Sequence, residues 1–271
     1  MQTSFFQKTL YYFFDWKNCV IYKLLGKAKI SPADIQNVEE NVTFIYKSFC
    51  RQKQARRLYK SIKTYYPHAC VIIADDSSEP LMIPNIYEED RIIQLPFNSG
   101  LSKGLAAALE QVKTPYVMRM DDDELLIPRS NIHLQLAYLQ KHPEVDLVSI
   151  QSKWYFSEKM AQNIRQIRMK NELLIPAGTI IDGREVVYKP ANIYLIRTDS
   201  LRKVGYDPNI RMIDHHEFFF RAAGQIVCVQ DPHSAVMHCH NKFENREYGR
   251  YRGDIRGDMM YITAKHGKGY Y

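Results

Sequence analysis

The chain has 271 residues, of which 45% are hydrophobic and 25% charged, as in an ordinary folded globular protein. It contains no apolar run of about 18 residues or more, so we expect no transmembrane helix. The five cysteines are odd in number and form no CxxC pair, which favours a reducing compartment over a disulfide framework. The net charge of +7 favours a phosphorylated ligand, an anionic glycan or an acidic membrane surface, without choosing among them.

The first 40 residues form a predicted N-terminal helical extension. Residues 5–25 are rich in aromatic side chains with three interspersed lysines, a pattern that fits a helix at a membrane interface. A helix packed on the protein, or in an oligomer contact, fits equally. Residues 27–40 read as a polar connector interrupted at Ser31-Pro32. The first residues lack the pattern of a signal peptide, so we expect a cytoplasmic protein, with at most peripheral contact at the inner face of the membrane.

Strand and helix patterns alternate over residues 42–150. Short β-branched, aromatic or apolar runs predict strands, and amphipathic or polar-flanked segments predict helices. The strands are predicted at 42–46, 70–74, 91–95, 116–120 and 145–150, and the helices at 51–66, 102–112 and 130–141. This alternation predicts an α/β fold with a mostly parallel, Rossmann-like sheet.

The remainder of the chain is less regular. Strands are predicted at 192–196, 226–229 and 235–237, a helix at 198–204 ending at Gly205, and another helix opening at 213–220. Residues 151–190 show no clear pattern. The predicted domains are the extension 1–40, a catalytic domain 41–240 and a basic C-terminal tail 241–271.

Polar clusters follow three of the predicted strands: Asp75-Asp76, Asn98-Ser99-Gly100 and Asp121-Asp122-Asp123. In open α/β sheets, ligands bind beyond the carboxyl ends of the strands. Three consecutive carboxylates repel one another, and Mg²⁺ or Mn²⁺ would compensate them with oxygen ligands. A solvated acidic turn or a helix N-cap is the alternative for an isolated triplet. The position of all three clusters on one rim favours a site.

Roughly residues 42–240 carry an ordered series of short motifs. They are Val42-Thr43, Lys47-Ser48-Phe49 with Arg51, Ser61-Ile62-Lys63, Tyr65-Tyr66-Pro67, Asp75-Asp76-Ser77, Leu95-Pro96-Phe97, Thr114-Pro115-Tyr116-Val117, Asp121-Asp122-Asp123, Asp182-Gly183, Arg197-Thr198-Asp199, Val204-Gly205-Tyr206-Asp207-Pro208 and His216-Glu217-Phe218-Phe219. With this series the sequence resembles the metal-dependent GT-A glycosyltransferases, in particular family 2-like enzymes such as the ganglioside-type β1,4-N-acetylgalactosaminyltransferases. The chain departs from them where Leu105-Ala106 replaces an Arg-Asn pair expected to contact the donor. We also expect it to lack the N-terminal membrane anchor of the Golgi enzymes.

The resemblance implies a UDP-sugar donor and a divalent cation, Mn²⁺ or Mg²⁺. It places the metal and the donor ribose on Asp121, Asp122 and Asp123, with Asp123 as the direct ligand. Further nucleotide contacts are expected from Ser48, Phe49, Asp75, Asp76 and Lys103. It also implies a general base for inversion at Glu217. Asp214 remains the rival base. Its spacing from Glu217 also suits a capping box, so helix capping is the alternative role for whichever of the two is not the base.

Two histidines, His238 and His240, follow the last predicted strand, and either would supply a further metal ligand. A zinc site that adds His233 and Cys239 is an alternative, although it has no recognised ligand spacing. The C-terminal basic residues alternate with tyrosines and would close over a diphosphate, meet an anionic acceptor or remain solvated. They are Arg246, Arg250, Arg252, Arg256 and Lys265, with Tyr248, Tyr251 and Tyr261.

The expected activity is inverting, metal-dependent transfer of a hexosamine, such as N-acetylgalactosamine, from a UDP-sugar. The expected acceptor is a glycan or a lipid-linked glycan in cell-surface polysaccharide synthesis. A nucleotidyltransferase should carry a glycine-rich loop after its first strand, and residues 47–50 contain no glycine. A non-catalytic nucleotide- or glycan-binding relative should have lost the Asp triplet or Glu217, and both are present. No nucleic-acid partner is expected, because no recognised binding module occurs.

Overall fold

A computed structural model describes residues 5–153, 172–239, 241, 246–252 and 255–267. Within these ranges ten strands form one sheet. They are β1 (Val42–Ser48), β2 (Val71–Asp75), β3 (Arg91–Gln94), β4 (Tyr116–Arg119), β5 (Glu124–Leu125), β6 (Leu147–Lys153), β7 (Ile180–Ile181), β8 (Arg184–Val186), β9 (Ile193–Arg197) and β10 (Cys228–His238). The helices are α1 (Phe5–Leu25), α2 (Pro32–Asn41), α3 (Gln52–Tyr65), α4 (Leu101–Glu110), α5 (Ile132–Lys141), α6 (Thr198–Val204), α7 (Asp214–Ala222), α8 (Arg246–Arg252) and α9 (Arg256–His266).

The strand order is β3-β2-β1-β4-β9-β6-β10-β8-β7, with β5 paired to β10. The first four strands of this order are mutually parallel. Strand β9 runs antiparallel to both β4 and β6 and joins this half of the sheet to the rest. The predicted α/β fold, with a parallel nucleotide-binding half, is confirmed. Its consequence is that the loops after β1, β2, β3 and β4 open at one edge of the sheet.

Helices cover both faces of the sheet. One core contains Leu58 and Ile62 of α3 and Leu136 of α5. The other contains Leu105 of α4 and Phe218 of α7. Strand β2 is buried along its whole length, because both of its faces lie against these cores. That double burial explains the continuous apolar run from which the strand was predicted.

Residues 32–41 form a helix where the sequence suggested only a connector, so that prediction was wrong. The Ser31 hydroxyl accepts a hydrogen bond from the Asp34 backbone N–H at 3.1 Å, and Pro32 occupies the first turn. Both are standard features of a helix start. The helix buries only Val38, so it has almost no apolar periodicity to reveal it.

The two short strands predicted at 226–229 and 235–237 are one strand, β10. It pairs in parallel with β6 on both sides of a register shift between Gln230 and Ala235. Pro232 lies inside that irregularity, where a missing backbone N–H costs no ladder hydrogen bond. The interruption in the pattern therefore marks a bulge and not a strand end.

Helix α1 packs on the body of the protein along one side and is exposed along another. Its residues Ile21, Tyr22 and Leu25 contact a small core that includes Leu125 and Cys239. Asp15 forms ion pairs with Lys53 and Arg57 of α3. Three aromatic side chains of the helix, Tyr12, Phe13 and Trp16, are more than half exposed. In the described part of the chain, no helix has the length and apolar character needed to span a bilayer.

Candidate active site

A cavity of about 210 Å³ opens at the carboxyl ends of the parallel strands. Its lining comprises Lys47, Phe49, Arg51, Asn98, Gly100, Leu101, Asp121, Asp122, Asp123, Asn192, Arg211, Met212, Asp214, His215, His238, Tyr248 and Tyr251. The loops after β1, β3 and β4 thus meet one another here, and α7 and α8 close the other side. This is the position at which open α/β sheets bind their ligands.

The acidic triplet is compensated by two buried arginines. The Arg51 guanidinium lies 2.8 Å from an Asp123 oxygen and 3.1 Å from Asp122. Arg119, fully buried, lies 2.8 Å from Asp121. Burial lowers the pKa of Arg119, but Asp121 and Asp214 outweigh burial and hold that pKa above its ordinary value. The repulsion expected among the three carboxylates is therefore relieved by cations that the sequence did not single out for this task.

Glu124 directly follows the triplet. Together with Asp123 and His238 it forms a group of side chains that could hold a metal ion. One ligand atom of each lies within 4.8 Å of the others. Glu124 is buried and accepts hydrogen bonds from Ser152 at 2.7 Å and from His238 Nδ1 at 2.9 Å, while its Oε2 has no hydrogen-bond partner. Burial lowers the pKa of His238, but Glu124 and Asp123 outweigh it and raise the pKa to about 9.

Two carboxylates and an imidazole are oxygen and nitrogen donors of the kind that Mn²⁺ accepts, whereas Mg²⁺ prefers oxygen alone. The unpartnered Glu124 oxygen also fits a cation. Glu124 was not predicted as a metal ligand from the sequence. Its partner His238 lies 114 residues further along the chain, on a neighbouring strand, and no local sequence pattern indicates that pairing. His240, the second predicted ligand, lies outside the described residues.

The pair Asp75-Asp76 divides into two roles. Asp75 is fully buried and accepts hydrogen bonds from the Ser77 hydroxyl and the Leu81 N–H, so its carboxylate holds the loop after β2. Asp76 lies 2.6 Å from Lys47 Nζ and accepts a hydrogen bond from the Gly100 N–H. Asp76 therefore positions two groups of the cavity wall without lining the cavity itself.

Ser48 and Lys103, both expected to contact the nucleotide, do not line the cavity. Ser48 is fully buried, and its hydroxyl has no hydrogen-bond partner. Lys103 is exposed on α4. Arg211 lines the cavity near this corner, and its Nη2 donates to the Asn98 carbonyl at 3.2 Å.

The backbone of Arg211 is fixed tightly against the start of α4. Gly100 has φ +101°, and a Cβ there would lie 2.9 Å from Arg211 Cα, so only glycine fits. The Leu101 N–H donates to the Arg211 carbonyl at 2.8 Å. In addition, the Asp258 carboxylate of α9 accepts hydrogen bonds from the backbone N–H groups of residues 211–213. The segment that leads into Asp214 is thus held from both sides.

Three aromatic rings, those of Phe49, Tyr248 and Tyr251, line one wall of the cavity, and Phe97 packs against two of them. Phe49 contacts Phe97 with ring centroids 5.6 Å apart and Tyr251 at the same distance. Tyr248 receives the Arg51 guanidinium over its ring at 4.6 Å. Because Tyr248 and Tyr251 belong to α8, this C-terminal helix completes the wall. The sequence left open whether these residues close over a diphosphate, meet an anionic acceptor or remain solvated.

Asp214 and Glu217, the two candidate bases, lie in different surroundings. Asp214 lines the cavity and is buried. Its Oδ1 lies 3.7 Å from His215 Nδ1 and accepts no hydrogen bond from the residues that the structure describes. Burial raises its pKa, but the neighbouring His215 and Arg119 outweigh burial and keep the pKa below its ordinary value. Asp214 is the first residue of α7 and not its N-cap, which is Ile213.

Glu217 lies outside the cavity lining and is only 1% exposed. Its Oε1 is 2.6 Å from Arg221, 2.8 Å from Lys265 and 3.0 Å from His266. Burial raises the pKa of Glu217, but Arg221, Lys265 and His266 outweigh it and lower the pKa. The choice between the two bases stays a prediction, and these contacts favour Asp214.

The described basic residues of the C-terminal tail lie on two different helices. Lys265 lies on α9 and forms ion pairs with Asp207 and with Glu217. Arg250 is exposed on α8 and does not line the cavity. The side chains of Arg246 and Arg252 lie outside what the structure describes.

Residues 37–205, more than half of the chain, match the family model of glycosyl transferase family 2. The chain belongs to glycosyl transferase family 2. The predicted resemblance to family 2-like GT-A glycosyltransferases is therefore confirmed.

As expected from the resemblance, mouse β-1,4 N-acetylgalactosaminyltransferase 2 is 30% identical over 217 residues, which are 76% of this chain and 41% of that protein. Human β-1,4 N-acetylgalactosaminyltransferase 1 is 31% identical over 207 residues, 70% of this chain and 37% of that protein. The chain thus spans about two fifths of the length of these relatives.

The fold of this family 2 chain is also that of solved structures. S. aureus TarS residues 1–349 superpose with a TM-score of 0.55 at 17% identity, covering 73% of this chain and 60% of that one. The same TarS segment in complex with UDP-GlcNAc gives a TM-score of 0.54 at 18% identity, covering 75% and 60%. At this identity the likeness concerns the fold alone, and it confirms the GT-A fold class.

Proposed function

We propose that the protein is an inverting, metal-dependent glycosyltransferase that uses a UDP-sugar. The observation that carries this proposal is the cavity at the carboxyl ends of the parallel strands, into which Asp121, Asp122, Asp123 and Asp214 all face. Carboxylates that could hold a divalent ion lie beside Asp214, a buried carboxylate whose Oδ1 accepts no hydrogen bond from a described residue. They would supply the metal site and the general base that the proposed sugar transfer requires.

The proposed metal ligands are Asp123, Glu124 and His238, with Asp121 as a further candidate. A divalent ion held there would neutralise the negative charge that develops on the departing diphosphate. The neighbouring carboxylates raise the pKa of His238 to about 9, so without a metal ion its imidazole carries a proton at neutral pH. Ligation must displace that proton.

The proposed donor contacts follow from the wall of the cavity. Phe49 and Tyr251 offer flat apolar surfaces for the uracil ring. Asp76 would act on the nucleotide through Lys47, which it holds in place at 2.6 Å. Arg211 takes the place of the expected cation on α4 and would contact the diphosphate.

Asp214 is the proposed general base. A carboxylate whose Oδ1 accepts no hydrogen bond from the described residues can take the proton of an acceptor hydroxyl. The oxygen of that hydroxyl then forms the new bond to the anomeric carbon while the bond to UDP breaks, which inverts the configuration. Arg119, 3.9 Å from Asp214, keeps the carboxylate ionised until then.

For the transferred sugar and the acceptor, we propose a hexosamine such as N-acetylgalactosamine and a glycan or lipid-linked acceptor of cell-surface polysaccharide synthesis. The curated relatives named above support the first, and the second is supported by a relative described as the amylovoran biosynthesis glycosyltransferase AmsE of Erwinia amylovora. That relative is 32% identical over 80 residues, 30% of this chain. The exposed aromatic side of α1 supports peripheral contact with a membrane surface.

The test is a UDP-release assay over a panel of UDP-sugars in Mn²⁺, Mg²⁺ or EDTA. We expect release with a UDP-N-acetylhexosamine, greatest with Mn²⁺ and abolished by EDTA. Release that continues undiminished in EDTA would contradict the metal, and release with none of the donors would contradict the activity. Anomer analysis of the product by NMR then distinguishes inversion from retention.

A further inference from the structure

A second and larger cavity lies between α1 and α3, on the far side of the acidic triplet from the nucleotide site. It holds about 430 Å³, within the usual range for a ligand site. It is lined by Asn18, Cys19, Tyr22, Lys23, Gly26, Lys27, Arg57, Lys60, Ser61, Thr64, Leu125 and Cys239. A cavity of this size, between a domain and a helix packed on it, needs an explanation.

The inside of this cavity offers few polar groups to a ligand. The Ser61 and Thr64 hydroxyls already donate to carbonyls of their own helix, at 2.8 Å in each case. Leu125 and Cys239 are buried in the small core beneath α1, and Tyr22 packs against that core. An occupant of this part must therefore be apolar, because a polar one would lose its hydration without gaining partners.

The rim of the cavity is cationic. Lys23, Lys27 and Lys60 line it and are exposed, and none of them forms an ion pair with a described residue. Arg57, the fourth cation, is already held by Asp15. Three unpaired lysines around an apolar chamber match a molecule with an anionic head and a hydrocarbon chain.

The cavity also adjoins the proposed active site. A narrow space of about 10 Å³ lies between the two. It shares Asp122 and Asp123 with the nucleotide cavity, and Arg57, Leu125 and Cys239 with the second cavity. A lipid held between α1 and α3 would therefore lie beside the residues that hold the donor.

We propose that the cavity between α1 and α3 binds the hydrocarbon chain of a lipid phosphate, with the phosphate on Lys23, Lys27 and Lys60. Binding of a lipid phosphate in this cavity does not depend on the proposed function. The further step, that this lipid is the anchor of the acceptor, rests on the proposed function. The exposed aromatic residues of α1 would then lie against the membrane from which the lipid is drawn.

Alkylation of Cys19 reports occupancy directly, because Cys19 lines the cavity. The purified protein is treated with a maleimide in the presence of farnesyl phosphate, farnesol or inorganic phosphate, and each cysteine is followed by mass spectrometry. We expect farnesyl phosphate to protect Cys19 at concentrations about tenfold below farnesol, since three surface ion pairs contribute modestly each. Inorganic phosphate should protect nothing. Cys50 and Cys70, which do not line the cavity, are the internal controls.

Two variants separate the chain from the head. Thr64→Trp fills the cavity and should abolish protection, while Thr64→Val, of similar size, should keep it. The triple charge reversal Lys23→Glu, Lys27→Glu, Lys60→Glu alters only exposed side chains and should remove the advantage of farnesyl phosphate over farnesol. Lys113→Glu, an exposed lysine elsewhere, is its control.

Equal protection of Cys19 in Thr64→Trp, or equal protection by farnesol and farnesyl phosphate in the unmodified protein, would overturn the proposal. If Thr64→Trp does not fold, the charge reversal still decides it. UDP binding is measured on the same samples. UDP binding without protection of Cys19 contradicts only this inference, and protection without UDP binding contradicts only the proposed function.

Discussion

At the scale of single residues, Arg51 is the group on which the acidic site depends. It is 4% exposed and pairs with both Asp122 and Asp123. A guanidinium and a divalent ion compensate the same negative charge, so they act in the same direction on these carboxylates.

We therefore predict that Arg51→Met makes the protein less stable by about 3 kcal/mol without metal, because two buried carboxylates lose a buried cationic partner. Mn²⁺ should raise the melting temperature of this variant more than that of the unmodified protein. Arg56→Met, an exposed arginine on the helix α3 that Arg51 precedes, is the control and should respond to Mn²⁺ as the unmodified protein does. An identical Mn²⁺ response in Arg51→Met would show that the triplet holds no metal.

The two candidate bases give opposite expectations. Asp214→Asn should lower kcat by about 10²- to 10⁴-fold with little change in UDP affinity, because it removes the proton acceptor. It should lower stability less than Glu217→Gln does, because Arg119 keeps its ion pair with Asp121 at 2.8 Å. Glu217→Gln should lower stability by about 3 kcal/mol, since Arg221, Lys265 and His266 lose their buried counter-charge. Kinetics and denaturant unfolding are measured on both. Loss of transfer in a stable Glu217→Gln, with transfer retained in Asp214→Asn, would make Glu217 the base.

The sequence predicted the position of the triplet, because it follows directly from one strand. It did not predict the partners. Arg51 is 72 residues from Asp123 along the chain, and Glu124 is 114 residues from His238. Such pairings depend on which strands become neighbours in the sheet, and no local sequence pattern predicts the strand order.

At the scale of elements, α9 holds the segment before α7. Asp258 accepts three backbone hydrogen bonds from residues 211–213, and Lys265 pairs with Asp207 at 2.6 Å and with Glu217 at 2.8 Å. Burial raises the pKa of Asp207, but Lys265, Asn209 and Tyr261 outweigh it and lower the pKa to about 2. The pKa of Glu217 is lowered as well.

Both carboxyl groups have a lower pKa in the folded protein than their ordinary values of 3.8 and 4.5. Their ion pairs therefore stabilise the protein fully above those values and lose their effect as the pH falls toward about 2. We predict that Lys265→Met costs about 1 kcal/mol at pH 7, because Lys265 is about one third exposed.

That difference between Lys265→Met and the unmodified protein should shrink steadily as the pH is lowered below about 4. It is measured by denaturant unfolding and by amide exchange in α9. Lys113→Met, an exposed lysine elsewhere on the surface, should show no such difference at any pH. A difference that is the same at both ends of the pH range would mean that Lys265 acts through packing and not through charge.

Elements with a strong apolar signal were predicted, and those without one were not. β2 is buried on both faces and appears as a continuous apolar run, and α6 ends at Gly205 as expected. Helix α2 buries one residue and was read as a connector. In β10 the bulge around Pro232 divided the pattern of one strand into two.

At the scale of the whole molecule, the sheet brings both halves of the site together. The alternation of strands and helices predicted a mostly parallel sheet, and the four parallel neighbours β3-β2-β1-β4 form that part of it. The insertion of antiparallel β9 between β4 and β6 was not predicted, because antiparallel and parallel neighbours have similar strand patterns. That insertion places α6 and α7 after β9, so that Asp214 faces the triplet across the cavity.

The family assignment and the cavity converge on one central claim, that the triplet and its neighbours bind a nucleoside diphosphate through a divalent ion. The most direct measurement is titration calorimetry of UDP in Mn²⁺ and in EDTA, with the unmodified protein and with Asp123→Asn. We predict binding in Mn²⁺ that weakens at least about tenfold in EDTA, and that Asp123→Asn weakens binding only in Mn²⁺. Equal affinity in Mn²⁺ and EDTA, or no binding of UDP in either, would contradict the account.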